Sequence, residues 1–174
     1  ESADDEILRT IHKNITPAAV ERVVDICHRL DIVTKGFLMI GHPRETVETI
    51  DKTIAFAKQI PLRHVVVTIN TPMPGTEQYK HASEYGTLDE SDWKRFNYWK
   101  PVFVPHGLTP EILLAKQQQF IREFYVRPKL LFRQLQFVVS SPSQWKQLGR
   151  IVAGSVRYLM RKGARVADRT SPTG

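Results

Sequence analysis

Residues Gly36-Phe37-Leu38-Met39-Ile40-Gly41-His42-Pro43-Arg44-Glu45-Thr46 constrain the chain most, because within a few positions they carry it from an extended segment into a helix. An apolar run between two glycines reads as a buried strand, Pro43 punctuates its exit, and Thr46 offers a side-chain oxygen to cap the helix beyond it. That helix shows a face at Val47, Ile50, Ile54 and Ala57, at steps of three and four residues. A second apolar run, His64 to Asn70, comes directly after it. Strand, helix and strand with short links form a βαβ unit, whose crossover is right-handed and whose strands are parallel. Alternation puts Phe37, Met39 and Gly41 on one side of the first strand and Leu38 and Ile40 on the other. Both sides are apolar, which predicts a sheet covered on both faces. Sites in such sheets lie beyond the carboxyl ends of the strands, here residues 41–46 and 70–76.

The flanking segments read as helices. Ser2 with Asp4, Asp5 and Glu6 marks a helix start, and Asn14-Ile15 breaks that helix. Thr16-Pro17 supplies a cap and a first-turn proline for a helix to about Leu30, with Val20, Val23, Val24 and Cys27 on one stripe, so Cys27 reads as a core residue. Thr71-Pro72-Met73-Pro74-Gly75-Thr76 reads as a rigid loop. From Tyr79 to Pro105 the pattern is irregular; Asp89-Glu90-Ser91-Asp92 suits the start of a short helix, and Trp93, Phe96, Tyr98, Trp99 and Phe103 read as a satellite core. Thr109-Pro110-Glu111 opens a helix to about Val126, and Arg127-Pro128 ends it.

Charge divides the chain more sharply than its total of +7 suggests. Residues 1–126 hold 15 Lys and Arg against 17 Asp and Glu, whereas residues 127–174 hold 10 against Asp168 alone, net −2 and net +9. Within that basic tail, Trp145, Leu148, Val152, Val156 and Leu159 line one face of a helix expected over 143–162, with Lys146, Arg150, Arg157 and Arg161 largely away from it; such a face either packs onto the body of the chain, the commoner use, or lies in an anionic membrane surface. The single cysteine excludes an internal disulfide framework and points to a reducing, cytoplasmic compartment. No apolar run approaches the roughly 18 residues of a membrane span. The chain opens Glu1-Ser2-Ala3 without an initiator methionine or a signal pattern, and is expected to be a piece of a longer protein. The six histidines show no metal-ligand spacing, and no nucleophile elbow, phosphate-binding loop or dinucleotide fingerprint is present. The residues alone describe a partial α/β domain with a helical tail, in which no catalytic group declares itself.

Gly36-Phe37-Leu38-Met39-Ile40-Gly41-x-Pro43-x-Glu45-Thr46, then Pro72-x-Pro74-Gly75-Thr76-Glu77, preceded by Glu1-Ser2 and by Ile11-His12-Lys13-Asn14-Ile15-Thr16, resembles the latter half of a radical S-adenosylmethionine (radical SAM) domain. More narrowly, the chain resembles the group whose members also carry a cobalamin-binding domain, and Phe-Tyr-x-Arg-Pro at 124–128 is similar to that group's C-terminal region. The resemblance implies a partial (β/α)6 TIM-like barrel in which a cysteine triad outside this chain holds a 4Fe-4S cluster that reductively cleaves S-adenosylmethionine. Residues 1–80 would be the C-terminal half of that barrel, 81–128 a connecting segment and helix, and 129–174 the basic helical tail.

By the same resemblance Glu1 matches a glutamate near the cofactor, and Lys13 a basic position that pairs with the cofactor's carboxylate. Gly41 matches a strand-end glycine beside the adenosine, and Thr71 and Pro72 the strand exit near the adenine. The chain departs from the pattern at His42, where leucine is usual, and at Arg44, where glycine is usual; a left-handed Arg44 costs on the order of 1 kcal/mol.

The implied parent acts, with cobalamin, on a small-molecule substrate, hydrophobic or lipid-like, as an oxidoreductase or methyltransferase. The chain alone, without the remainder of the parent, would be inactive. The alternative is a non-catalytic α/β module whose basic amphipathic tail binds an anionic membrane surface or a partner, as a peripheral protein. Nucleic acid is disfavoured, because aromatic and basic residues occupy different stretches. A cluster iron needs thiolate ligands, so the chain incubated anaerobically with iron and sulfide is expected to bind no cluster. Stoichiometric iron with a broad visible absorption would overturn this.

Overall fold

The computed structural model describes residues 1–127. The tail 129–174, with the amphipathic helix expected over 143–162, lies outside the described residues, as does Pro128.

The two apolar runs form strands β1 (Lys35–Ile40) and β2 (His64–Ile69), which pair in parallel from Lys35↔His64 to Ile40↔Ile69. Helix α3 (Val47–Gln59) joins them. Its start is fixed locally: Thr46 Oγ1 accepts from Thr49 N, while Thr49 Oγ1 accepts in return from Thr46 N, a reciprocal cap. The same chemistry starts α2 (Pro17–Arg29) at Thr16 and α6 (Pro110–Tyr125) at Thr109, each with proline in its first turn. The first helix, α1 (Asp5–Thr10), is capped by Asp4, whose carboxylate accepts from Glu6 N and Ile7 N. Ser2, expected to start it, instead turns inward to Thr53 Oγ1 on α3, 3.3 Å away.

Helices α1 and α2 both end in Schellman turns. His12 N and Lys13 N donate to Arg9 O and Leu8 O, and Asp31 N and Ile32 N donate to His28 O and Cys27 O. The residue at the turn is left-handed in each, with φ of 55° at His12 and 54° at Asp31.

The sheet is covered on one face only among the described residues, against the expectation of two. Leu38, Ile40, Val65, Val67 and Ile69 are buried on the covered face, in a core with Ile50, Ile54 and Ala57 of α3 and Leu113 and Phe120 of α6. Full burial of one such aliphatic or aromatic side chain contributes about 1.5–3 kcal/mol. On the opposite face Phe37 is 65% exposed, and Met39, Val66 and Thr68 are half-buried. The stripe on α2 departs from expectation in the same way: Val24 is buried, Val23 is 59% exposed, and Cys27 is half-buried rather than in the core. An apolar pattern reports that a face avoids water; it does not report which segment covers it.

Each side edge of the sheet has its own arrangement. Along β1, Glu1 N lies 3.3 Å from Phe37 O and Met39 N donates to Glu1 O at 3.2 Å, the slanted pairing of a parallel neighbour. Along β2, side chains and a loop take the outward-facing groups. Tyr125 Oη accepts from Val65 N and donates to Val65 O, at 3.2 and 3.1 Å. Gln117 Nε2 donates to Val67 O at 2.8 Å, Ile69 N donates to Tyr98 O, and Thr71 Oγ1 donates to Ile69 O. Strand β2 is thereby closed to a further partner.

After β2 come two short helices, α4 (Glu77–Lys80) and α5 (Ala82–Tyr85), and an antiparallel hairpin of β3 (Gly86–Leu88) with β4 (Phe103–Pro105) that the irregular sequence did not suggest. Gly86 is required there, since a Cβ would sit 2.1 Å from Val104 O. The acidic run before Trp93 starts a single 3₁₀ turn, with the Asp92 carboxylate accepting from Lys94 N. The aromatics are not a satellite core: Phe103 is buried, but Trp93 and Trp99 are each 54% exposed and Tyr98 is exposed too. The loop crosses the carboxyl end of β2 through the backbone of Tyr98, which leaves these side chains outward. No helix among the described residues is long and apolar enough to cross a membrane.

Replacing Gln117 by leucine removes the partner of Val67 O while keeping an apolar side chain in place. It is expected to destabilise the chain by about 1–3 kcal/mol, the range for a buried acceptor left unmade. A urea midpoint unchanged at constant slope would mean that β2 does not depend on this closure.

Candidate functional site

The carboxyl ends of β1 and β2 meet in a small polar knot. Where β1 stops, the amides of Gly41 and His42 lose their ladder partners, and one carboxylate takes both. Glu45 Oε2 accepts from His42 N at 3.0 Å and from Gly41 N in a short contact. Glu45 N returns to His42 O at 3.0 Å, closing the loop. From the neighbouring strand end, Asn70 N donates to Ile40 O and Asn70 Nδ2 donates to Gly41 O. Gly41 has a φ of 84°, and a Cβ there would stand 3.4 Å from Leu113, so both conformation and packing select glycine. Arg44 is left-handed with a φ of 63°, the conformation that glycine would adopt more cheaply. Its guanidinium stands 5.8 Å from the ring centre of Tyr85 and 3.9 Å from Glu6 Oε1.

Glu45 is fully buried, and burial pushes its carboxyl up to about 7 against the opposing pull of the two amide hydrogen bonds. Its Oε1 has no partner among the described residues. His42 is also buried with neither ring nitrogen partnered among those residues, and burial pushes its pKa down to about 4 although Glu1 pulls the other way. Two groups that titrate in opposite senses thus share one five-residue loop.

The positions singled out from sequence fall in two sets. Glu1 and Lys13 come together: the Schellman turn after α1 returns the chain so that Lys13 Nζ lies 3.1 Å from Glu1 Oε1, on the carboxyl-end side of the sheet. Burial works to raise the Glu1 carboxyl, and the hydrogen bond and positive charge of Lys13 work to lower it. Gly41, Thr71 and Pro72 form the second set, all buried at the strand ends. Thr71 Oγ1 is already engaged with Ile69 O, and both backbone groups of Gly41 are taken, so these positions offer shape rather than free hydrogen-bonding groups. Asn70 does not stand out in the sequence, and Glu45 stands out there only as a member of a motif. An acid directly before a capping threonine and four residues after a strand-end glycine was the available sign. Among the described residues no group of three or more His, Cys, Asp or Glu side chains is placed to hold a metal ion.

No family model matches the chain. It is 30% identical over 161 residues to an uncharacterized methyltransferase of Pyrococcus horikoshii, covering 92% of this chain and 33% of that protein. It is 25% identical over 126 residues to the bacteriochlorophyllide d C-12(1)-methyltransferase of Chlorobaculum tepidum, covering 72% and 27%. A third relative, 25% identical over 123 residues with 71% and 20% covered, is the anaerobic magnesium-protoporphyrin IX monomethyl ester cyclase of Cereibacter sphaeroides. The chain therefore spans about a third or less of these proteins, and it is similar to methyltransferases and to a cyclase.

The paired burial of His42 and Glu45 predicts opposed pH responses. His42, with its folded pKa depressed, contributes stability that is present above about 6.5 and lost as pH falls towards about 4. Glu45, with its folded pKa raised, contributes stability that is present below about 4.5 and lost as pH rises through about 7. The two slopes largely cancel in the native chain. His42→Leu is expected to raise stability at pH 7 by about 1 kcal/mol, by removing unpartnered polar atoms, and to leave stability falling from pH 5 to 7. Glu45→Gln should leave the opposite slope. Denaturant midpoints across pH for both variants check this; equal slopes in the two would refute it.

Proposed function

We propose that residues 1–127 form the carboxyl-terminal end of the catalytic barrel of a radical SAM enzyme that works with cobalamin on an apolar organic substrate. The observation that carries this reading is the one-sidedness of the sheet. Strand β2 is closed by Tyr125, Gln117, Tyr98 and Thr71, while β1 already pairs in parallel with Glu1 and leaves Phe37 and Met39 open on one face. A sheet finished on one edge and continued on the other suits the last two strands of an open barrel whose other strands precede Glu1. The open face is then the barrel interior. The similarity to two methyltransferases and a cyclase favours methyl transfer or ring closure as the reaction, and two of those relatives are named for tetrapyrrole substrates.

The residues at the strand ends suit the amino-acid portion of S-adenosylmethionine. Glu1 and Lys13 present one carboxylate and one ammonium 3.1 Å apart, with side chains 26% and 48% exposed, the complement of an α-ammonium and an α-carboxylate. Lys13 would hold the cofactor's carboxylate and Glu1 its ammonium, each exchanging the present partner for the ligand. Gly41, Thr71 and Pro72 would form the wall beside the adenosine. The cluster, held by cysteines outside this chain, supplies one-electron cleavage of S-adenosylmethionine when bound. The residues of this chain orient the cofactor, and Glu45 keeps the loop that faces it in one shape.

In the full-length parent, Lys13→Ala is expected to weaken S-adenosylmethionine binding by about 1.5–3 kcal/mol, the range for a charge-assisted hydrogen bond. Calorimetry on the reconstituted protein measures it. An unchanged dissociation constant would return Lys13 to the role of a surface partner for Glu1.

A further inference from the structure

The connection between β3 and β4 carries four aromatic residues in the eight positions from Trp93 to Lys100, and three of them are exposed. Trp93 and Trp99 are each 54% exposed and Tyr98 is 39% exposed, while Phe96 lies half-buried with its ring centre 4.7 Å from that of Trp93. Large rings gathered in water are unfavourable, yet the segment holds them there in a fixed shape. Ile69 N donates to Tyr98 O at 2.8 Å, which pins the segment beside the carboxyl end of β2. Phe96 N donates to Trp93 O, Trp99 N to Asn97 Oδ1 and Val102 N to Lys100 O, at 3.1, 3.1 and 2.9 Å. Tyr98 has a φ of 63°, a conformation that costs a non-glycine residue free energy, and the ring it carries is not buried in return.

The residue types say what this surface meets. Indole and phenol rings have an apolar body and a polar tip, and they concentrate where the hydrocarbon of a bilayer gives way to headgroups. The exposed residues of α2, by contrast, are aliphatic, Val23, Ile26 and Leu30, a face that another apolar protein surface covers. Charge points the same way. Lys94 and Lys100 flank the rings, are exposed, and pair with no acid among the described residues. Lysine is depleted from protein–protein interfaces, whereas its apolar stem and ammonium suit the headgroup zone. The nearby acids are engaged: Asp89 with Arg95, Asp92 with Lys94 N, and Glu90 with Tyr79 Oη. With Lys94, Arg95 and Lys100 against Asp89, Glu90 and Asp92, the segment has no net charge, so the rings decide its binding.

We propose that segment 93–100 is a membrane-interface anchor, in which Trp93, Tyr98 and Trp99 enter the headgroup zone of a lipid bilayer with Lys94 and Lys100 at its aqueous side. The anchor works through the rings and is therefore separate from any attraction of the basic tail, which falls with salt. It does not depend on the cofactor reading, since none of Glu1, Lys13, Gly41, Thr71 or Pro72 belongs to the segment.

The full chain carrying Trp145→Phe reports by fluorescence on Trp93 and Trp99 alone. With phosphatidylcholine vesicles in about 1 M salt, where screening confines the attraction of the tail to about 3 Å, its emission is expected to shift to the blue and to be quenched when the lipid is brominated. Replacing both exposed indoles, Trp93→Ser with Trp99→Ser, in the chain that keeps Trp145 should lower co-sedimentation with the same vesicles roughly tenfold or more, with the circular dichroism unchanged. If the double variant does not fold, quenching by brominated lipid decides alone. Emission that brominated lipid leaves unquenched, or partitioning equal in the double variant and the native chain, would overturn the proposal. A blue shift that grows with protein concentration in the absence of lipid would overturn it too, by making the rings a contact between copies of the chain.

Discussion

The carboxylate of Glu45 is the interaction on which the strand ends depend. Leaving a parallel strand abruptly strands two adjacent amides inside the protein, where each would be costly without a partner. One buried oxygen collects both, from Gly41 and His42, and the chain can then turn straight into α3. The short turn this imposes puts Arg44 in a left-handed conformation and brings the carbonyl of Gly41 within reach of Asn70 on the next strand. Asn70 therefore couples the two strand ends, and a shift in either would be felt at both. The carboxylate performs this while buried enough that its own charge is disfavoured, so the geometry of the loop and its protonation are linked.

Helix α6 holds the opposite end of the same sheet. Arg127 Nη1 donates to Lys58 O at 2.6 Å and its Nε to Phe124 O at 2.9 Å, with its guanidinium 4.1 Å from the ring centre of Phe124. Together with the double hydrogen bond from Tyr125 to Val65, this ties the end of α6 to the end of α3 and the beginning of β2. The Phe-Tyr-x-Arg segment is a structural clasp at the amino end of the sheet, away from the strand ends that gather Glu45, His42 and Asn70. Lys116 and Asp51 add a second tie between α6 and α3, at 2.6 Å.

What the sequence made legible was local. Thr16, Thr46 and Thr109 marked three helix starts because a cap and its acceptor geometry lie within three residues, and the two long strands were found to within a residue or so. Features that depend on distant partners were not legible. Nothing near Gln117 or Tyr125 indicates that they complete a strand some fifty to sixty positions earlier, roughly the separation over which helix periodicity carries no information. The hairpin of β3 with β4 has only three residues on each side, too few for alternation to register. The second face of the sheet, expected to be covered, is open among the described residues, because Phe37 and Met39 look equally apolar whether their neighbours lie in this segment or elsewhere. Of the site, the meeting of Lys13 with Glu1 rests on a left-handed His12, a conformation that histidine adopts often enough but does not announce.

The closure of β2 has a consequence for the order of events on the ribosome. Strand β2 is complete once Ile69 emerges, but Tyr98, Gln117 and Tyr125, which cover its outer edge, come later. Roughly 55 residues separate Ile69 from Tyr125, so at translation rates of about 5–20 residues per second the edge stays uncovered for some 3–11 seconds. During that interval the newest strand presents bare amides and carbonyls to any other nascent chain. The charged and proline-bearing stretch between β2 and α6 is what the growing chain has at hand to keep that edge from being captured before its own helix arrives.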